Sequence, residues 1–243
     1  MAERIQKILS RQGYCSRRAA EKLIEEKRVK VNGRVVIIGD TADVSKDRLL
    51  VDNKPVFIKH EPKKLYYMLH KPRGYVTTLS DPHATKSITS LIEDIDTRLF
   101  PVGRLDKDSE GMLLLTNDGD FSNLISHPSS GITKIYRVSV KPAVDEEQLD
   151  KLISGFELLG EVVVPASVRI TGEEKERSVL EITLSEGKNR EIRRMCEAVG
   201  LEVTRLKRTA IGPVKLSSLA VGKYRELTES ELKALKNAAG KNK

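Results

Sequence analysis

The sequence predicts an α+β protein in two parts: a small helix–helix–hairpin module over residues 1–62 and a larger body over residues 63–243 in which sheet dominates. Three observations predict it. Charge is uneven: residues 1–34 hold ten Lys or Arg against four acids, a net +6 of the chain's +8, so a short basic module is joined to a nearly neutral body. Strand-like runs at 65–69, 112–116, 135–140, 162–170 and 178–184 alternate with helical stretches at 145–153, 190–199 and 229–237. At 243 residues there is room for a small domain attached to a larger one with its own core.

In the module, Ile5, Ile8 and Leu9 mark one face of a first helix, which Gly13 ends. Ser16 can cap a second helix whose apolar face carries Ala19, Ala20, Leu23 and Ile24. Val29-Lys30-Val31, Asn32-Gly33 and Arg34-Val35-Val36 read as a hairpin with a tight turn. Asp47–Asp52 reads as one more strand, and Lys59-His60-Glu61-Pro62-Lys63-Lys64 as a polar linker that sets the boundary near residue 62.

The most informative stretch of the body is residues 103–119, where a charged turn centred on Asp106 runs into the apolar strand Met112–Leu115. Such a layout presents a carboxylate from a rigid edge, with Arg104 on the same side and Gly111 permitting a tight backbone turn. Asp106, Asp108 and Glu110 alternate like the start of a calcium loop, but the twelfth position is Asn117 rather than a bidentate Glu, and the apolar run reads as a strand.

Other classes are set aside on composition. No apolar run approaches the roughly 18–20 residues needed to cross a bilayer, and Met1-Ala2-Glu3-Arg4 leads into a helical pattern rather than a signal peptide, so a cytoplasmic protein is expected. Cys15 and Cys196 lack a paired spacing and His60, His70, His83 and His127 are scattered, which argues against a disulfide framework or a metal site. There is no internal repeat, and Gly240-Lys241-Asn242-Lys243 reads as a polar tail.

Gly103-Arg104-Leu105-Asp106, with Ser109, Gly111 and Leu-Leu-Thr-Asn-Asp-Gly, resembles the signature of the pseudouridine synthases that modify ribosomal RNA, the family of small-subunit synthase A and large-subunit synthases B, E and F. Lys71-Pro72-Arg73-Gly74, Lys134-Ile135-Tyr136-Arg137-Val138 and the segment Glu186-Gly187-Lys188-Asn189-Arg190-Glu191-Ile192-Arg193-Arg194-Met195 follow the family's order. Met112 stands where Leu is commoner and Glu191 where Gln is commoner. Cys15–Ala19 and Val29–Gly33 resemble the S-four RNA-binding domain.

The resemblance implies a mixed, mostly antiparallel sheet flanked by helices, with a cleft across it. It also implies a cofactor-independent isomerisation: the bond from ribose C1′ to uracil N1 breaks, the base turns, and a C1′–C5 bond replaces it. Asp106 is the expected catalytic carboxylate, and attack at C1′, addition at uracil C6 and base action at C2′ are all open to it. Tyr136 would stack on the everted uracil and assist proton transfer at C5. Arg193 would pair with Asp106, favouring the ionised carboxylate and orienting it from a helix whose apolar face is Ile192, Met195, Cys196 and Val199.

By the same resemblance Arg104 would enter the RNA beside the everted base, Ile192 would pack on the base pocket, and Lys188 and Arg190 would face RNA. In the module Ser16, Arg17, Arg18, Lys22 and Lys30 would contact phosphates. The competing reading of that face is a solvated, salt-bridged surface, since Glu21, Glu25 and Glu26 lie among the basic residues; the helix–helix–hairpin context favours RNA. The expected partner is ribosomal RNA or a ribosome-assembly intermediate, met by a monomer. A large-subunit target is preferred over a small-subunit one, and a non-catalytic ribosome-assembly protein is the rival from another class.

Overall fold

The structure, a computed structural model, describes residues 2–57, 63–79, 86–158, 160–185 and 187–240. The expected linker residues 59–62, His83, Glu186 and the last three residues of the tail lie outside the described residues. The chain divides into two compact units, Met1–Lys64 and Leu65–Lys243.

In the first unit, helices Ile5–Arg11 and Arg17–Glu25 pack Ile5, Ile8, Leu9, Ala20 and Ile24 into a core with Val29, Leu49 and Val51. Ser16 caps the second helix by accepting from the Ala19 amide at 3.1 Å. Ala19 itself is exposed, so the buried stripe of that helix is narrower than its apolar sequence suggests. Strands Val29–Val31 and Arg34–Val35 pair across Asn32 and Gly33, both at positive φ (50° and 86°), the backbone that a two-residue hairpin turn requires. A further hairpin, Leu49–Val51 with Lys54–Pro55, extends this sheet.

The second unit is built on a nine-stranded sheet. Its main path runs Ser167–Glu174, Arg177–Leu184, Lys134–Lys141, Glu202–Ile211, Glu110–Thr116, Tyr66–Lys71 and Tyr224–Glu226. Every neighbour pair is antiparallel except Glu202–Ile211 with Glu110–Thr116, as a mixed, mostly antiparallel sheet requires. Helices cover both faces. Leu152 of Glu146–Ser154 and Ile192, Met195 and Cys196 of Glu191–Ala198 fill one core with Leu113 and Leu115. Phe121 and Ile125 of Gly119–Ser126 and Leu235 of Glu229–Gly240 fill the other with Met112 and Leu114. Glu110–Thr116 is buried at all seven positions, which is why its apolar run is unbroken rather than alternating.

The expected strand 162–170 is two strands. Glu161–Val163 pairs with Phe156–Leu158, and Ser167–Glu174 joins the main sheet; Pro165 stands between them, without an amide proton to continue a ladder.

Candidate active site

Glu110–Thr116 has two successive neighbours on one edge. Beside Glu110 and Gly111 runs Glu202–Ile211, in parallel register for two residues only; beside Leu114–Thr116 runs Phe100–Val102. Where these neighbours part, a cavity of about 400 Å³ opens, lined by Val102, Gly103–Asp106, Tyr136, Lys188–Ile192, Leu206, Arg208 and Ile211, among others. Its size suits one small ligand such as a nucleoside.

The turn carrying Asp106 is held by its backbone. The Arg208 guanidinium donates to Arg104 O (3.4 Å) and the Thr77 hydroxyl to Leu105 O (2.6 Å). The Ser109 amide donates to Asp106 O (3.1 Å) and the Gly74 amide to Lys107 O (2.7 Å). Arg193 Nη2 donates to Asp108 O (3.0 Å) and Lys71 Nζ to Ser109 O (2.8 Å). Six consecutive carbonyls thus have donors, three of them cationic, and charge-assisted bonds of this kind are stronger than neutral ones. The half-buried Asp106 carboxylate accepts no hydrogen bond among the described residues and lines the cavity.

Arg193 is where expectation and structure differ. Its Nη1 donates to Val203 O (3.1 Å) and its Nη2 to Asp108 O, so it grips the backbone of the turn rather than the Asp106 carboxylate. Burial draws its guanidinium below the ordinary value, with Arg190 adding to the fall and Asp108 and Asp106 opposing it. The Lys71 ammonium is fully buried and also feels Asp106. Burial pulls Lys71 down to about 8, against the opposing pull of Asp106 and then Asp108.

The other candidates sort by element. Tyr136, 7% exposed on strand Lys134–Lys141, lines the cavity, and its hydroxyl makes no hydrogen bond among the described residues. Ile192 is buried in the same wall. Lys188 and Arg190 are exposed at the cavity; Glu191 accepts from the Lys188 amide (2.9 Å), an acceptor role that a carboxylate keeps in place of an amide. Arg104 is exposed at the cavity and pairs with neither Asp108 nor Glu110; Glu110 is held by Arg205 at 2.8 Å.

In the first unit Arg17 and Arg18 are exposed at the amino terminus of their helix and Lys22 is exposed in its last turn, 3.9 Å from Glu26. The Ser16 hydroxyl serves as cap, and Lys30 Nζ bonds Asn53 at 2.9 Å. Sequence reasoning gave no part to Lys71, Thr77 and Arg208 in holding the Asp106 turn. Lys71 opens the Lys-Pro-Arg-Gly segment and Thr77 lies three residues after it, which was the available signal.

Comparison with known proteins agrees with this architecture. The family model described as RNA pseudouridylate synthase matches residues 65–198, and the S4 domain model matches residues 3–44. An uncharacterized RNA pseudouridine synthase of Aquifex aeolicus (strain VF5) is 46% identical over 242 residues, covering 99% of this chain and 96% of its own. Ribosomal large subunit pseudouridine synthase B of Bacillus subtilis (strain 168) is 41% identical, covering 99% of both. The crystal structure of a pseudouridylate synthase superposes with a TM-score of 0.65 at 30% identity, covering 96% of this chain and 99% of that one. A cavity walled by the signature turn, set in a matching fold and carried by a chain alike from end to end, leaves one assignment: the protein belongs to the RNA pseudouridylate synthase family and is an isomerase.

Proposed function

We propose that the chain isomerises a uridine of large-subunit ribosomal RNA to pseudouridine, with Asp106 as the catalytic carboxylate. The observation that carries this reading is the Asp106 turn: its carbonyls are tied by donors while its carboxylate accepts no hydrogen bond among the described residues, at a cavity shared with Tyr136. A group held by its backbone keeps its oxygens available for the reacting sugar or base, and costs no reorganisation when the substrate arrives.

In this reading the uridine is everted into the cavity, Tyr136 and Ile192 flank the uracil, and Arg104 takes the space the base vacates. The C1′–N1 bond breaks, the base rotates, C5 bonds to C1′, the C5 proton is lost to water with the help of the Tyr136 hydroxyl, and N1 takes up a proton from water, so that the product is an isomer. Arg193 serves by fixing the turn. Lys188 and Arg190 hold the RNA backbone at the rim, and the amino-terminal unit, through Ser16, Arg17, Arg18, Lys22 and Lys30, delivers the substrate. The protein works as a monomer in the cytoplasm on ribosomal RNA or an assembly intermediate, without cofactor or metal. The large-subunit target rests on the likeness to the Bacillus subtilis synthase B.

Tritium release from ribosomal RNA transcripts labelled at uridine C5 tests the reading. The wild-type chain should release tritium from large-subunit RNA and Asp106→Asn should not, at an unchanged melting temperature. Release from small-subunit RNA alone would move the target, and an active Asp106→Asn would remove the carboxylate from the chemistry.

A further inference from the structure

We infer that Arg208 is a positioning residue for the isomerisation, holding the Asp106 turn at both of its ends; the inference rests on the reading of Asp106 as the catalytic carboxylate. Arg208 sits where three strands meet. It is the register partner of Tyr136 on one side and of Gly111 on the other. Residues opposite one another in a ladder project to the same face, so Arg208 and Tyr136 share the wall of the cavity.

From there the guanidinium reaches across the signature segment. Nε donates to Met112 O at 2.7 Å and Nη1 to Arg104 O at 3.4 Å, so one planar group spans the entry and exit of the turn on which Asp106 stands. A lysine has the charge but not the fork, and would hold one carbonyl at a time.

A purely structural role accounts poorly for this residue. Arg208 is 5% exposed, close enough to the buried Lys71 to help lower its pKa, and its Nη2 is buried with no hydrogen-bond partner among the described residues. Two neighbouring buried cations and an unfilled donor all work against stability, and an apolar residue would pack the same strand at less cost. What the guanidinium supplies, and an apolar side chain does not, is registry between Arg104 and Met112. Misplacement of a reacting group by about 1 Å costs on the order of 100-fold in rate.

The test compares wild type, Arg208→Lys and Arg208→Gln in the tritium-release assay, with RNA affinity at one salt concentration and the melting temperature measured alongside. The expected result is a fall in kcat on the order of 10- to 100-fold for Arg208→Gln, with KM and RNA affinity within about twofold of wild type, and partial rescue in Arg208→Lys. Weakened RNA affinity at unchanged kcat would overturn the inference, as would a kcat within twofold of wild type. Should Arg208→Gln fail to fold, Arg208→Lys decides: a tenfold loss of kcat at a native melting temperature supports the inference and an unchanged kcat overturns it. Asp106→Asn in the same assay separates the two claims, because activity in that variant sinks the catalytic reading whatever Arg208 does.

Discussion

Gly111 and Arg208 approach so closely that a Cβ on the glycine would lie 2.3 Å from the Arg208 carbonyl oxygen and 2.6 Å from its nitrogen. Gly111 also has φ +116°, a backbone conformation that other residues rarely adopt. The glycine is therefore required by the contact between two strands more than by the turn before it. Gly111→Ala should destabilise the second unit by about 4 kcal/mol or more, since the clash is with backbone that cannot rotate away. Denaturant unfolding measures this, and a near-native midpoint would mean that the strands part freely.

Lys71 makes stability depend on pH in a definite direction. Its folded value of about 8 lies below the ordinary 10.5, so between these pH values the unfolded chain holds a proton that the folded chain has released. Stability therefore rises with pH across that window, and below about 8 the cost of burying the ammonium is carried in full. The contribution is on the order of 3 kcal/mol. Measured as the difference in unfolding free energy between wild type and Lys71→Met at a series of pH values, it should grow in favour of wild type from pH 8 to 10. A difference independent of pH would show that the ammonium is not desolvated.

Arg104 is exposed and makes no side-chain bond among the described residues, so its removal should leave the fold intact, within about 0.5 kcal/mol. Arg104→Ala should nevertheless slow turnover on folded RNA more than on a short unstructured oligonucleotide, where there is no stack to refill. Parallel losses of melting temperature and activity would assign the residue to structure instead.

For the basic unit, the triple variant Arg17→Gln, Arg18→Gln, Lys22→Gln should weaken RNA binding and flatten its salt dependence. Each lost phosphate contact removes about 0.7–0.9 from the slope of log affinity against log salt. An unaltered slope would return these side chains to the role of a solvated helix face.

Much of this architecture was legible because it is written in local pattern. The Ser16 cap, the Asn32-Gly33 turn and the unbroken run Met112–Leu115 each reflect a rule that acts within a few residues. Strand Glu202–Ile211, at the centre of the sheet, escaped for a physical reason. Its core-facing positions are Leu206, Arg208 and Ala210, and a charged residue in the middle of that set breaks the alternation by which a strand is recognised. Helix Gly119–Ser126 was also missed, although Asp118 as cap, with Phe121 and Ile125 four apart, was a usable signal.

At the site, the signature turn showed that a carboxylate would be presented, while the donors that hold it come from residues 71, 74, 77, 193 and 208, separations no local rule spans. The same reach misled the expectation for Arg193. A helix face predicts which side of the sheet the side chain meets, but not whether it ends on a carboxylate or on the carbonyl two residues further along.

Those scattered moorings have a consequence for the chain during its synthesis. Asp106 leaves the ribosome about a hundred residues before Arg208 does, so of the side chains and amides that moor its loop, those of Arg193 and Arg208 are made last, after Lys71, Gly74, Thr77 and Ser109. A nascent or truncated chain that ends before Arg193 therefore carries its basic amino-terminal unit complete while the loop bearing Asp106 is only partly fastened.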